Sequence, residues 1–212
     1  MLFDKEQFFK GLTEKNEPSV TDKLRKAVVG IAGCGGLGSN VAGALARVGV
    51  KKLIIVDPDE VVLSNLNRQF FFIDDIGKFK VDALCDNLKR INPFVEIEKK
   101  WLKINKDNLF ELFKEADVIV EAFDEAVEKS MIIDSFLEKD EFKEKYLVCA
   151  SGVAGVESSN TIQTKKFADR VFISGDFCSQ SCEKGVMANR VLIAAAHQAN
   201  MVVRIIAGEL DP

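Results

Sequence analysis

The run Gly33-Cys34-Gly35-Gly36-Leu37-Gly38 lies between an apolar segment, Val28-Val29-Gly30-Ile31-Ala32, and an alanine-rich one, Val41 to Val48. That order predicts a strand, a tight turn and a helix, with G-x-G-x-x-G in the turn. Gly33 makes the turn, Gly35 lets a ligand approach the backbone, and Gly38 allows close packing of helix on strand. The free N–H groups at the helix start then face a phosphate. A strand followed at once by a helix commits the chain to βα units and a mainly parallel sheet.

A second strand, Lys51 to Val56, ends at Asp57. An acid about 20 residues beyond the glycines, at a strand's carboxyl end, is placed to accept hydrogen bonds from ribose hydroxyls, and it favours an unphosphorylated 2'-hydroxyl. Glycines alone can also serve a crowded turn. Strand, helix and acid in register point instead to a nucleotide.

The 29 basic and 33 acidic residues give a net charge of -4, which leaves no broad positive surface for nucleic acid. Hydrophobic content of 47% with 29% charged residues is that of a globular chain able to bury a core. The start, Met1-Leu2-Phe3-Asp4-Lys5-Glu6, lacks the pattern of a signal peptide. Val191 to Ala207 is apolar but interrupted by His197, Gln198, Asn200 and Arg204, so it reads as an internal packing helix, not a membrane span. Cys34, Cys85, Cys149, Cys178 and Cys182 form an odd set and are expected as reduced thiols, which suits a cytoplasmic protein.

Residues 1–26 read as a polar helical segment with a break at Asn16-Glu17-Pro18-Ser19, where Ser19 caps Val20 to Lys26. Residues 27–212 read as one domain. Its expected elements are a helix from Ile76 to Ile91, a strand from Phe94 to Lys99 and a helix from Asn105 to Lys114. A buried strand from Ala116 to Ala122, a helix from Glu125 to Leu137 and a strand from Lys145 to Ala150 follow. Ser159 to Lys165 reads as a more polar strand, a candidate for antiparallel pairing at one side. Phe167 to Gly185 is the least regular stretch, and Val186 to Leu210 is a long final helix closed at Gly208. Ligands of such sheets gather at the carboxyl ends of the strands, so Asp57, Asp124 and Ser151 are expected on one rim with the glycine turn.

Hydride transfer and phosphate chemistry place different demands on that rim. The latter needs cations beside phosphates and often a carboxylate for magnesium. Arg68 and Lys80 can reach the phosphate end from the segment after the second strand, and Asp124 can hold Mg²⁺ from another strand. Plainer roles stand beside these: Arg68 and Lys80 as solvated charges, Asp124 and Asn65 as helix caps.

Taken together, Gly33 to Asn40, Asp57-Pro58-Asp59, Ser64-Asn65-Leu66-Asn67-Arg68-Gln69, Gly77-Lys78-Phe79-Lys80 and Glu121-Ala122-Phe123-Asp124 occur in one order. The pattern resembles the ThiF-like or MoeB-like adenylyltransferases, relatives of ubiquitin-activating enzymes, and most closely their short thiamine-pathway branch. The resemblance runs from about residue 20 to 208. It implies an α/β, Rossmann-like, activating-enzyme (E1-like) fold with residues 167–185 as a crossover loop. It also implies ATP-dependent adenylation of the C-terminal glycine carboxylate of a small ubiquitin-like sulfur carrier, ThiS-like and ending in Gly-Gly, with release of pyrophosphate.

By that resemblance Gly33, Gly35, Gly36 and Gly38 cradle ATP, Asp57 and Asp59 engage the ribose region, and Asn65, Arg68, Gln69 and Lys80 line the phosphate path. Asp124 is the magnesium-linked carboxylate, and a homodimer is expected. No general base is required, because a terminal carboxylate is already ionised near neutral pH. Longer relatives carry two C-x-x-C pairs for structural zinc; only Cys178-x-x-x-Cys182 stands here, so no zinc is expected. Cys178 or Cys182 is a candidate for covalent transfer, and His197 reads as a packed, hydrogen-bonded histidine. The molybdopterin carrier, an RNA-linked or small-molecule carboxylate, a nicotinamide-dependent oxidoreductase and a noncatalytic carrier-binding protein stay open as alternatives.

Overall fold

A computed structural model describes residues 3–179 and 184–212. Two short helices, α1 (Lys5–Leu12) and α2 (Pro18–Leu24), precede β1 (Val28–Ala32), α3 (Gly36–Val48), β2 (Lys52–Val56), α4 (Lys80–Ile91) and β3 (Glu96–Lys100). Then come α5 (Leu109–Phe113), β4 (Val118–Glu121), α6 (Ala126–Glu138), β5 (Tyr146–Ala150), β6 (Gln163–Ala168), β7 (Val171–Gly175) and α7 (Ala188–Ala207). The seven strands form one sheet in the order β3-β2-β1-β4-β5-β7-β6. All pairings are parallel except β6 with β7, which is antiparallel. The fold is the α/β, mostly parallel and helix-flanked arrangement expected from the glycine turn.

Alternation along the strands explains the layering. Val29 and Ile31 of β1, with Leu53 and Ile55 of β2, pack under α3, α4 and α7 through Val41, Leu45, Leu84, Leu88 and Ala194. Ala32, Ile54 and Val56 turn to the other face, against Phe113, Ile132, Phe136 and Phe142. Both faces are therefore covered, as parallel sheets require, and each fully buried Leu, Ile or Phe contributes about 1.5–3 kcal/mol. Among the described residues α7 alone is long and apolar enough to cross a membrane. Here its Val191, Ala194, Ala195 and Val202 are buried in the core beneath the sheet, so its apolar stripe has a protein partner.

The strand order reverses between β1 and β4, and the crevice at such a switch point is where ligands of open α/β sheets sit. The turn after β1 and the segment after β4 face each other there. Both outer strands are largely exposed: β6 with Lys165, Lys166 and Phe167, and β3 with Glu96 and Lys99.

Several local expectations need correction. The helix expected from Ile76 starts at Lys80, because Gly77 has φ +85° and its N–H is bonded to Val61. Ser159–Thr161 is a 3₁₀ turn, and the polar strand lies later, at Gln163–Ala168. The stretch expected as an irregular crossover, 167–185, contains β7 at Val171–Gly175, which pairs with β5 and β6 at once. At α2, Pro18 occupies the first turn, where its missing N–H costs nothing; Ser19 Oγ donates to Glu17 and caps nothing. His197 behaves as expected, its Nδ1 lying 3.1 Å from Thr164 Oγ1.

Candidate active site

At the switch point a cleft of about 930 Å³ is lined on one side by Gly33, Gly35, Gly36, Asp57, Asp59 and Lys80, and on the other by Asp124, Ser151, Gly152 and Ser179. Gly33 has φ +97°, and a Cβ there would stand 2.8 Å from the Ala122 carbonyl oxygen. Gly38 is tighter: its Cβ would come within 1.9 Å of Gly33 O. It belongs to the packing beneath the turn, outside the cleft lining. No side chain caps α3, so its first N–H groups are available to an anion at the cleft floor.

Asp57 is 5% exposed. Its Oδ2 accepts the Cys34 N–H at 2.6 Å and its Oδ1 the Asp59 N–H at 2.8 Å, which ties the glycine turn to the end of β2. Burial raises its carboxyl above the ordinary value, and Lys80 with the two N–H donors pulls the other way. Lys80 Nζ lies 2.7 Å from Asp59 Oδ2 and 3.9 Å from Asp57 Oδ1. Asp59's side chain is 62% exposed, so its hold on Lys80 is screened by water and exchangeable.

Arg68 and Gln69 also line the cleft. Arg68 donates to Ser64 O and Asn67 Oδ1 at 3.2 and 2.7 Å, and the Gln69 side-chain oxygen is buried without a partner among the described residues. Asn65 is different. Its Oδ1 accepts the Val62 N–H at 3.0 Å and caps a 3₁₀ turn, the plainer of its two expected roles, and it does not line the cleft.

Asp124 is exposed at the cleft edge. The N-cap of α6 is Glu125, so Asp124 is no cap, and it makes no hydrogen bond or ion pair among the described residues. A carboxylate placed in this way beside a phosphate site suits Mg²⁺, which takes one or two protein carboxylates and completes its shell with water and phosphate oxygens. Groups of three or more acidic, His or Cys ligands are absent among the described residues, and that coordination does not need one.

Other contributors carry no local motif. Glu121, fully buried, accepts from Phe123 N, Lys129 Nζ and Ala150 N, at 2.8, 2.9 and 3.3 Å, and so joins the ends of β4 and β5. Gln198 from α7 donates to Glu121 O and Val148 O beneath them. Lys103, paired with Glu128 at 2.9 Å, adds a cation to the cleft wall. Trp101 stacks on Phe79 at 4.0 Å and donates to Pro58 O, bracing the turn that carries Asp57 and Asp59. The one usable sequence signal was an acid ending a strand with a lysine in the following helix.

None of the described cysteines forms a prepared nucleophile. Burial pushes the Cys34 and Cys149 thiols well above the ordinary range. Cys178 is exposed, but Asp176 beside it holds its thiol up as well, opposite to what thiolate chemistry needs. Cys182 lies outside the described residues.

Comparison with known proteins gives this geometry a setting. Ubiquitin-like modifier-activating enzyme 5 of Drosophila ananassae is 41% identical over 92 residues, which are 43% of this chain and 23% of that protein. The Arabidopsis thaliana protein of the same name is 40% identical over 92 residues, 43% and 21% of the two chains. The match therefore spans less than a quarter of these relatives' length. The crystal structure of Escherichia coli tRNA N6-threonylcarbamoyladenosine dehydratase, TcdA, in complex with ATP has the same fold, with a TM-score of 0.85 and 18% identity over 99% of this chain and 98% of that one. E. coli MccB with ATP gives a TM-score of 0.72 and 25% identity over 92% of this chain and 60% of that one. The ThiF family model matches residues 9–212, and the chain belongs to the ThiF family.

Proposed function

We propose that this chain is an adenylyltransferase that uses Mg·ATP to activate the C-terminal carboxylate of a small ubiquitin-like carrier ending in Gly-Gly, of the thiamine sulfur-carrier type. The observation that carries this reading is the convergence on the glycine turn of Arg68, Lys80 and Asp124, the last unpaired among the described residues, in a cleft that continues past the turn to Ser151 and Gly152. A hydride-transfer site does not require two cations and a free carboxylate at its phosphate end. Membership of the ThiF family and the ATP complexes of TcdA and MccB support the nucleotide; the activating enzymes among the relatives support a ubiquitin-like partner.

In this reading the turn N–H groups and Gln69 hold the nucleotide, and Asp57, whose oxygens keep free lone pairs beyond their two backbone bonds, receives the ribose. Arg68 and Lys80 face the phosphates; Lys80 leaves the exposed Asp59 to do so. Asp124 would hold Mg²⁺, which supplies further neutralisation of phosphate charge. The incoming carboxylate and the α-phosphate are both anionic, so approach is unfavourable until these cations screen it. A carboxylate oxygen then bonds to the α-phosphorus as the bond to pyrophosphate breaks, giving an acyl-adenylate, with in-line placement lowering the entropic barrier. Action as a homodimer in the cytoplasm belongs to the same proposal.

The test is ATP–pyrophosphate exchange with purified carriers, read alongside intact mass for an added AMP. Exchange should depend on Mg²⁺ and on a Gly-Gly-ended carrier. A wild-type protein that binds NADH tightly and ATP not at all would sink the assignment.

A further inference from the structure

Asp176 follows β7 and Arg190 stands in the first turn of α7; their side chains are paired and only 4% and 1% exposed. Arg190 Nη1 also donates to Ser158 O at 2.8 Å and Thr161 Oγ1 at 3.0 Å. Asp176 Oδ1 accepts the N–H groups of Cys178 and Ser179 at 2.9 and 2.8 Å. Burial alone would raise the Asp176 carboxyl, but the Ser179 and Cys178 donors prevail and bring it to about 2.

The backbone around this pair is over-determined. Phe177, between these contacts, has φ +64°, the sole non-glycine residue at positive φ among those described. Asp176 N–H is bonded to Gly152 O, Phe177 N–H to Ser151 O, and Ala154 N–H to Ser179 Oγ. A Cβ on Gly152 would lie 2.1 Å from Asp176 Oδ1. Two loops and the start of α7 are thus locked together, and Ser151, Gly152, Val153, Ala154, Ser179 and Val191 from these segments line the cleft. The lock itself takes no side chain from the glycine turn, β2 or α4.

We propose that Asp176 and Arg190 are positioning residues that set the acyl-substrate half of the cleft, so that recognition of the carboxylate substrate is tuned separately from recognition of ATP. This rests on the adenylation reading. A planar guanidinium satisfies a carboxylate and several carbonyl or hydroxyl acceptors at fixed angles, which an ammonium cannot do. The wall therefore holds one shape, and a substrate tail enters a prepared channel instead of ordering loops as it binds.

The experiment compares wild type with Arg190→Lys and Ser179→Ala. The second keeps the Asp176–Arg190 pair but removes the Ser179 hydroxyl, which accepts from Ala154 N–H and also donates to Asp176. Hydrogen exchange is followed at the amides of residues 151–154 and 176–179, Mg·ATP affinity by calorimetry, and exchange kinetics with a ThiS-like carrier. In Arg190→Lys those amides should exchange roughly tenfold faster. The KM for carrier should rise about tenfold, with kcat and ATP affinity held within about twofold. Ser179→Ala should raise the carrier KM about threefold in the same pattern. Unchanged amide protection in Arg190→Lys, or an ATP affinity that falls in step with carrier KM in either variant, overturns the proposal. If no carrier supports exchange by the wild type, the adenylation reading fails, and the amide and ATP measurements still decide whether the lock is independent of the nucleotide.

Discussion

One wall of the cleft is held by contacts local to the glycine turn and the end of β2, the other by a buried side-chain pair. Around the glycine turn, Gly33 donates to Val56 O, Cys34 to Asp57, and Gly38 packs directly on Gly33. Around Ser151 and Ser179 the shape depends on a buried guanidinium and carboxylate drawn from segments far apart in the chain. The first arrangement is local and follows from residue order. The second can be re-cut by changing few side chains.

The largest expected effect tests the side-chain wall. Arg190→Met leaves the Asp176 carboxylate buried and unpaired and should cost about 3–5 kcal/mol in urea denaturation. Asp176→Asn with Arg190→Met should recover part of that loss. ATP binding by the folded fraction should persist; its disappearance would erase the distinction between the walls.

Next comes Gly38→Ala. With a Cβ 1.9 Å from a backbone oxygen that cannot step aside, the turn must open, at about 3 kcal/mol, and here ATP affinity should fall together with stability. A Gly38→Ala protein with normal ATP affinity would show that ATP binding does not depend on this packing.

Asp124→Ala separates chemistry from architecture. The side chain is exposed and bonded to nothing described, so melting temperature should stay put while pyrophosphate exchange drops about a hundredfold, the scale of losing one electrostatic contact to a transition state. Full exchange activity would remove Asp124 from the mechanism.

The smallest effect contrasts the walls by pH. Asp176 is held below its ordinary 3.8, at about 2, so its contribution is present above 3.8 and lost as pH falls toward 2. Asp57 is shifted upward by burial, so its contribution is present below 3.8 and lost as pH rises through its folded value. Urea titrations of Asp176→Asn and Asp57→Asn against wild type between pH 2 and 6 should therefore diverge from it in opposite senses. Parallel curves would refute both assignments.

What could be read from the sequence follows the same division. The turn, Asp57 and the strands of the parallel sheet were legible because each announces itself within a few residues: glycines where a Cβ cannot fit, and apolar runs that end in an acid. β7 escaped because Val171–Gly175 is short and sits in a hairpin inside a polar stretch. Asn65 kept two readings because capping and ligand binding use the same side-chain type. The Asp176–Arg190 pair left no trace, since Arg190 lies within an apolar helix and its acceptors Ser158 and Thr161 stand about thirty residues away. Pairwise contacts across such distances are properties of the fold and not of any window of residues.

The two outermost strands have a consequence for handling the protein. Each presents a ladder that a neighbouring molecule could extend. On β6, however, an arriving chain meets the ammonium groups of Lys165 and Lys166, and on β3 the charges of Glu96, Glu98, Lys99 and Lys100. Self-stacking through these margins is thereby discouraged, and concentrated solutions should resist fibril growth at either border.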